Sequence, residues 1–364
     1  MKLQGWRSVF FLAWIVTAVP FVFAGGPNIG VNSNFGYMWA HRKTMLPMEA
    51  ATHTLELNFS WFTQDQDLNW ARLYRSPRIG FNLTYLDLGS NISGKAFGIL
   101  PYIEFKILNK PRQELNFRLG SGIGYLTKTW SMVNLENKAI GSHINANMRV
   151  HFIYHLMLSK QIEISALAGI THFSNANFKM PNLGVNSVEI GFGLGYLSKG
   201  KPAEKYSYKD EKGARERRQE FKFSAATKET GLVYRKRVFV GIIGYRNYFL
   251  CTPKSRVSGG ADIFYDPGYF YRDNADDVKG KPKLKDAAEV GLTLGHDLIV
   301  GRWHFVTEGG IYLYAAKWNK GPVYQRVGFK YEINKNLLAS FSLKTHFARA
   351  DYFEWGIAYT ILQH

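Results

Sequence analysis

The stretch INANMRVHF, residues 144–152, alternates between apolar and polar side chains without a break. Its apolar members are Ile144, Ala146, Met148, Val150 and Phe152, and its polar members are Asn145, Asn147, Arg149 and His151. A period of two places successive side chains on opposite faces of a β-strand, whereas a helix repeats every 3.6 residues. This stretch is therefore predicted to be a strand with one apolar face and one polar face.

The same alternation recurs along the chain on both sides of this strand. It is found at residues 54–62, 79–85, 97–106, 115–125, 162–171, 187–196 and 353–361. A soluble β-sandwich also alternates, but here the polar face carries Arg, Glu, Lys and Asn, and 15% of the residues are aromatic. Both features are typical of a membrane barrel with a polar lumen. We therefore expect an all-β, transmembrane, antiparallel up-and-down β-barrel with an even number of about 12 to 16 strands.

An N-terminal apolar segment and one basic segment in the middle of the chain define the expected domain organisation. Residues 1–24 read as a signal peptide, with Lys2 and Arg7 before an apolar run and Val22-Phe23-Ala24 as the cleavage site. Residues 25–198 are expected to form the first half of the barrel, and residues 219–364 the second half. Between them, residues 199–218 hold eight Lys or Arg and four Asp or Glu, which predicts a solvated loop. Export of a barrel indicates the outer membrane of a Gram-negative bacterium.

Charge and cysteine content limit the partners. The formal charge is +18, and a basic exported chain fits anionic lipopolysaccharide better than nucleic acid, so no nucleic-acid partner is expected. The single cysteine, Cys251, allows no internal disulfide. No group of His, Cys and Asp residues has the spacing of a metal site, so neither a catalytic metal nor another cofactor is predicted. The sequence carries no signal for an oligomeric state.

A polar cluster interrupts the apolar wall. Even-numbered residues of the strand 162–171 form its apolar face, and His172 and Ser174 continue that row at the strand's loop end. On the next strand the outward row begins with Asn186. Polar groups that face hydrocarbon are costly, so this cluster calls for a function. The alternative is a polar pair at the membrane rim that anchors a loop.

The residue types in this cluster fit acyl transfer. Residues two apart on a strand share a face, so His172 is placed to take the hydroxyl proton of Ser174. Asn186 can orient the imidazole through its amide oxygen, as asparagine does in Cys-His-Asn proteases. Asn175, Asn177 and the backbone N–H groups after Ser174 are the candidate oxyanion donors.

The cluster also resembles a known family. His-x-Ser-Asn-Ala at 172–176, followed by Lys179, Pro181-Asn182 and Gly184, is similar to the motif of the PagL-type lipid A 3-O-deacylases, or acyloxyacyl hydrolases. The resemblance implies an outer-membrane barrel with a Ser-His-Glu triad on its outer wall, which removes an ester-linked 3-hydroxyacyl chain from lipid A. It implies Ser174 as nucleophile, His172 as base, and Asn175 with the backbone at 177 as oxyanion donors. Lys179 is a candidate contact for a lipid phosphate.

This sequence departs from the family pattern at two positions. The triad Glu of the family falls at Asn186, and a glycine of the family falls at Asn177, although asparagine tolerates the left-handed conformation. The small barrel of the family would end near Leu197, which leaves the rest of the chain without a counterpart. A non-catalytic barrel, a porin or a scaffold that retains a relic motif, is the alternative function.

A second copy of part of the motif occurs at Thr345-His346-Phe347-Ala348, near the end of the chain. Ala348 stands where the nucleophile would be. Because Phe341 and Leu343 belong to the apolar row, Lys344 and His346 are predicted to face the lumen. We therefore expect no second catalytic site here.

Overall fold

The structure of the protein is a computed structural model that describes residues 26–66, 69–202, 217–231, 236–273, 281–316, 321–347 and 349–363. The predicted signal peptide 1–24 and most of the predicted basic loop 199–218 lie outside these residues.

Within the described residues, sixteen strands form two closed antiparallel barrels of eight strands each. The first barrel contains β1 (Asn28–Met38), β2 (Ala51–Phe62), β3 (Arg78–Asp87), β4 (Lys95–Lys110), β5 (Gln113–Leu126), β6 (Ile144–Met157), β7 (Ile162–Ser174) and β8 (Val185–Tyr196). The second barrel contains β9 (Arg217–Glu229), β10 (Arg237–Thr252), β11 (Ser255–Tyr265), β12 (Ala288–Val300), β13 (Trp303–Ala315), β14 (Val323–Glu332), β15 (Leu337–His346) and β16 (Arg349–Gln363).

The expectation that the two halves of the chain share one barrel is corrected by the strand pairing. β1 pairs with β8 as well as with β2, and β9 pairs with β16 as well as with β10. Each half therefore closes on itself. Alternation along a strand predicts which side chains share a face. It does not predict which distant strand pairs with the first strand to close the barrel. The predicted fold class, with an even number of antiparallel strands, is confirmed.

Alternate side chains of each strand are exposed and apolar, as a lipid-facing wall requires. On β8 the outward row includes Ile190 and Phe192, which are 61% and 67% exposed. Glu189, which directly precedes Ile190, is 2% exposed and points into the lumen. The outer wall and polar lumen predicted from the alternation are both present.

The lumen of the first barrel is filled by paired charges. Arg118 contacts Glu104 at 2.5 Å and Glu56 at 3.6 Å, and Arg149 also pairs with Glu56. All four side chains are at most 4% exposed. An eight-stranded barrel is just wide enough for its side chains to fill it. The filled lumen disfavours the alternative of a conducting pore.

The second barrel has a similar lumen of its own. Arg246 contacts Asp262 at 3.0 Å and Glu308 at 2.9 Å, and Arg326 pairs with both of these carboxylates. Ionic groups removed from water are stable only when they are paired in this way. The buried arginines and acids of the second lumen are therefore paired, as those of the first lumen are.

Only short helices occur among the described residues. They are the α-helices Asn69–Leu73 and Gly268–Asp273 and the 3₁₀ helices Lys43–Met48, Thr63–Gln66 and Leu284–Asp286. None of the helices in this part of the chain is long and apolar enough to cross a membrane.

An apolar cap closes the loop end of the first barrel. It consists of Met38, Met45, Met48, Leu86, Leu88, Ala96, Leu126, Ala139, Ile140, Phe173 and Val185. Phe173 is 1% exposed, and a Cβ at Gly124 would lie 2.5 Å from its Cε1 atom, so glycine makes room for the ring. The cap therefore fixes the end of β7, the strand on which the predicted site lies.

The chain divides into two compact units. Within the described residues, one unit holds the first barrel, and the other holds the second barrel together with residues 176–182.

Candidate active site on the first barrel

The predicted catalytic residues lie at adjoining strand ends. His172 and Ser174 are the last even-numbered residues of β7, and Asn186 is the second residue of β8. In the β7–β8 ladder His172 stands directly opposite Asn186. His172 is half-buried, and Ser174 is 3% exposed, so protein covers the serine more completely than its place in the outward row suggests.

A short hydrogen bond joins the imidazole to the asparagine. The Nδ1 atom of His172 lies 2.6 Å from Oδ1 of Asn186. An amide oxygen only accepts hydrogen bonds, so Nδ1 carries the proton and donates it. Neutral His172 then has its Nε2 lone pair available to accept a proton, which is the tautomer that a general base needs.

The amide nitrogen of Asn186 has a partner that sequence reasoning missed. Nδ2 of Asn186 lies 3.0 Å from Nδ1 of His41, in the loop after β1. These residues are 145 positions apart, and only the β1–β8 pairing that closes the barrel brings them together. The backbone N–H of Trp39 also donates to the carbonyl of Asn186 at 2.9 Å. No local pattern in the sequence signals this contact.

The surroundings of His41 favour the neutral form of its imidazole. Burial lowers the pKa of His41 below its ordinary value, and the positive charge of Arg42 acts in the same direction. A hydrogen bond to the backbone of Leu183 acts in the opposite direction. A neutral imidazole has one acceptor nitrogen, and the amide N–H of Asn186 points at Nδ1.

Gly184 shapes the space around the imidazole. Its φ is +82°, in the left-handed region, and its N–H donates to the carbonyl of Ala139 at 2.9 Å. A Cβ at this position would lie 2.7 Å from Cε1 of His172. Glycine is therefore required both for the backbone conformation and for the position of the ring.

Asn175, the predicted oxyanion donor next to the serine, is held from the loop before β6. Its Nδ2 donates to the hydroxyl of Ser142 at 2.7 Å, and Ser142 in turn donates to the carbonyl of Ile144 at 3.0 Å. Asn175 is 4% exposed. In the β6–β7 ladder the small Ala146 stands opposite Ser174.

Two other predicted residues, Asn177 and Lys179, belong to the unit of the second barrel. Asn177 has a φ of +58°, the left-handed conformation that suits glycine or asparagine. Its Nδ2 donates to the carbonyls of Ala350 at 2.7 Å and Asp351 at 3.2 Å. Both amide hydrogens are thus engaged, which argues against the side chain of Asn177 as an oxyanion donor. Lys179 is half-buried.

The partial repeat of the motif lies on β15, the seventh strand of the second barrel. His346 is buried, with Nε2 at 2.9 Å from the Tyr312 hydroxyl, and Lys344 is fully buried. Both side chains face the lumen, as predicted from the strand alternation. Ala348 lies outside the described residues. The histidine that faces outward on β7 thus has a counterpart that faces inward on β15.

One group of potential metal ligands occurs among the described residues, and sequence spacing did not indicate it. Glu56, His151 and Glu189 come from three different strands and meet in the lumen of the first barrel. Their carboxylates already accept hydrogen bonds, from Arg149 on Glu56 and from Thr54 at 2.9 Å on Glu189. This group is part of the lumenal ion-pair network.

Comparison with known proteins identifies two sequence families along the chain. Residues 55–201 match the family described as lipid A 3-O-deacylase (PagL), and residues 219–364 match the C-terminal domain of acyloxyacyl hydrolase. No curated protein sequence matches the chain.

Solved structures also resemble the chain. The crystal structure of the outer membrane enzyme PagL is 18% identical, covers 45% of this chain and 97% of its own, and has a TM-score of 0.33. A triple mutant of the Rhodopseudomonas blastica porin is 8% identical, covers 92% of this chain and 99% of its own, and has a TM-score of 0.18.

Proposed function

The chain belongs to the family of lipid A 3-O-deacylases, or acyloxyacyl hydrolases, and we propose that it removes an ester-linked acyl chain from lipid A in the outer membrane. In this proposal Ser174 is the nucleophile, His172 is the general base, and Asn186 orients His172. The observation that carries the proposal is the hydrogen bond from Nδ1 of His172 to Asn186, which leaves Nε2 as the proton-accepting nitrogen.

The reaction follows the order of a serine esterase. Oγ of Ser174 attacks the ester carbonyl carbon while Nε2 of His172 takes the hydroxyl proton. The tetrahedral intermediate collapses, and His172 returns the proton to the departing sugar oxygen. Water, deprotonated by His172, then attacks the acyl-serine, and as the fatty acid departs His172 returns that proton to Oγ of Ser174. Each half-reaction returns the histidine to its neutral form.

Asn175 is the proposed donor to the oxyanion. It directly follows the nucleophile, and its amide is fixed by the hydroxyl of Ser142, so little reorganisation is needed during the reaction. A preorganised donor in a site shielded from water stabilises developing negative charge more strongly than a mobile one does. The cover over Ser174 and Asn175 supplies that shielding.

Lipid A lies in the membrane, so its acyl chains can contact the lipid-facing wall of β7 next to His172. On β7 the small Ala168 and Ala166 lie in the outward row. In the ladders Ala168 stands between Phe152 of β6 and Ile190 of β8. The larger neighbours make a shallow apolar groove over Ala166 and Ala168 on β7, and Ile170 of the same outward row lies between this groove and His172. We propose that it seats the acyl chain that is cleaved.

Filling this groove is expected to weaken the use of long-chain substrates. Replacing Ala168 with Phe should lower kcat/KM for lipid A by about tenfold, because a hydrophobic contact of this size is worth 1–3 kcal/mol. Hydrolysis of a soluble short-chain ester should be unchanged, since such an ester does not reach the groove. Ala225→Phe, at an outward position of β9, is the matched control. An equal loss on both substrates would contradict the assignment of the groove.

Mass spectrometry of lipid A tests the proposed function directly. Lipid A from a Gram-negative host that produces the full chain, with insertion in the outer membrane verified, is expected to lose the mass of one hydroxyacyl group. The same host with an empty vector sets the baseline. Unchanged lipid A, together with folded and inserted protein, would contradict lipid A as the substrate.

Gly184 offers a test of the imidazole position. Gly184→Ala is expected to lower lipid A hydrolysis by at least about tenfold, because its Cβ must displace the ring of His172 and a misplaced catalytic group is costly. Gly94→Ala is the matched control. Gly94 has a similar φ of +70°, but its Cβ would meet only side-chain atoms of Thr127 and Lys128. Both variants are first shown to be folded by heat-dependent gel mobility. Equal activity in the two would contradict the assigned position of the His172 ring.

A further inference from the structure

A chain of three side chains connects β1, β8 and β7. Asn186 accepts a hydrogen bond from His172 through Oδ1 and donates one to His41 through Nδ2. We propose that His41 is a positioning residue, which fixes the orientation of the Asn186 amide and thereby holds His172 in the tautomer that can act as a base. This inference rests on the proposed function, because it concerns the same site.

The need for such a residue follows from the chemistry of an amide. A carboxylate presents an oxygen to the imidazole in either orientation, whereas an asparagine can present its oxygen or its NH₂ group. With the amide reversed, Nδ2 would face Nδ1 of His172, and the proton of His172 would have to reside on Nε2. That tautomer cannot accept the proton of Ser174. An asparagine at position 186 therefore works only if something selects one orientation.

His41 makes that selection because its Nδ1 is an acceptor. The hydrogen bond to the backbone of Leu183 raises the pKa of His41, so the ring is its donor, and because Nδ1 faces Asn186 we assign that proton to Nε2. Nδ1 of the half-buried His41 is then an acceptor, and it can pair only with the NH₂ group of Asn186. The opposite face of the amide, its oxygen, is left for His172.

Protonation of His41 removes this selection. A doubly protonated imidazole has no acceptor, and it favours the reversed amide that presents oxygen to His41. The charged and titratable groups on the surrounding elements are Arg42 and Glu49 on the same loop, His172 on β7, and Lys138 on the loop that pairs with Leu183. The site is thus active only while both His41 and His172 are neutral.

The pH dependence of catalysis tests this proposal. We expect log(kcat/KM) for purified lipid A, measured with the full chain in detergent, to fall on the acid side with a slope approaching about two, since two groups must be deprotonated. His41→Gln, whose amide oxygen can still accept from Asn186, should retain activity with an acid slope of about one. His41→Leu offers no acceptor and should lose about tenfold at neutral pH.

Two further variants separate a positioning role from a structural one. In the Asn186→Glu background the carboxylate presents an oxygen to His172 in either orientation. Adding His41→Leu should therefore lower kcat/KM by less than about twofold, against about tenfold in the parent. Arg42→Gln keeps the acceptor and removes a charge that lowers the pKa of His41, so it should retain activity and shift the acid limb to higher pH. An equal cost of His41→Leu in both backgrounds would overturn the proposal.

A measurement without turnover distinguishes this proposal from the proposed function. Nitrogen-15 spectra of histidine-labelled protein report which ring nitrogen carries the proton, with His172→Gln used to assign the signal. We expect His172 to carry its proton on Nδ1 in the parent and to lose that preference in His41→Leu. If the parent is inactive but this change is observed, the proposed function fails and the positioning role stands. If the parent is active and the tautomer of His172 is unaffected by His41→Leu, the positioning role fails.

Discussion

Replacing Ser174 with Ala is expected to abolish acyl-ester hydrolysis, with a loss of at least about a thousandfold in kcat. The hydroxyl is the only group of the proposed site that bonds covalently to the acyl chain, and removing one member of a serine–histidine pair disables the pair as a unit. Residual turnover would come from the oxyanion donor and from substrate binding alone. The measurement is kcat of the parent and of Ser174→Ala on purified lipid A, with the released fatty acid quantified by mass spectrometry.

A serine on the same strand supplies the matched control for this experiment. Ser165 lies on β7 at an odd position, in the row opposite to that of Ser174. Ser165→Ala removes the same atom from the same strand and should leave hydrolysis of lipid A unchanged. If Ser174→Ala retained activity while its barrel was folded, a nucleophile elsewhere in the chain would have to be sought.

The local part of the site could be predicted from sequence because it depends on strand alternation. The parity of β7 and β8 assigns His172 and Asn186 to the same outward row, and the ladder indeed pairs them directly. The same reasoning correctly assigns Lys344 and His346 to the lumen of the second barrel. A period of two is a property of the backbone, so it needs no knowledge of distant parts of the chain.

The parts of the site that depend on barrel closure could not be predicted. His41 meets Asn186 only because β1 pairs with β8. Closure into two barrels of eight strands was missed for the same reason. Each strand satisfies its alternation equally well in one large barrel, and only long-range pairing distinguishes the two arrangements.

Replacing Asn186 with Glu is expected to raise kcat by about ten- to a hundredfold. As His172 takes a proton it becomes an imidazolium, which a carboxylate stabilises by charge and a neutral amide does not. In other serine hydrolases the change from acid to amide costs about ten-thousandfold, largely because the amide selects the wrong tautomer. Here Asn186 already presents its oxygen to Nδ1 of His172, so only the missing charge remains to be restored.

Glutamine at position 186 separates the effect of the charge of the side chain from the effect of its length. Asn186→Gln has the length of glutamate but no charge, so it should not exceed the parent, and its longer amide should disturb the 2.6 Å contact with His172. A rise with glutamate alone would show that the charge on the third residue limits turnover. A rise with both would mean that distance limits it, and a fall with both would mean that the short Asn186 bridge between His41 and His172 is itself required. The measurement is kcat on purified lipid A for the parent, Asn186→Glu and Asn186→Gln. All three are compared at one pH above the acid limb of the pH profile, where His41 and His172 are neutral.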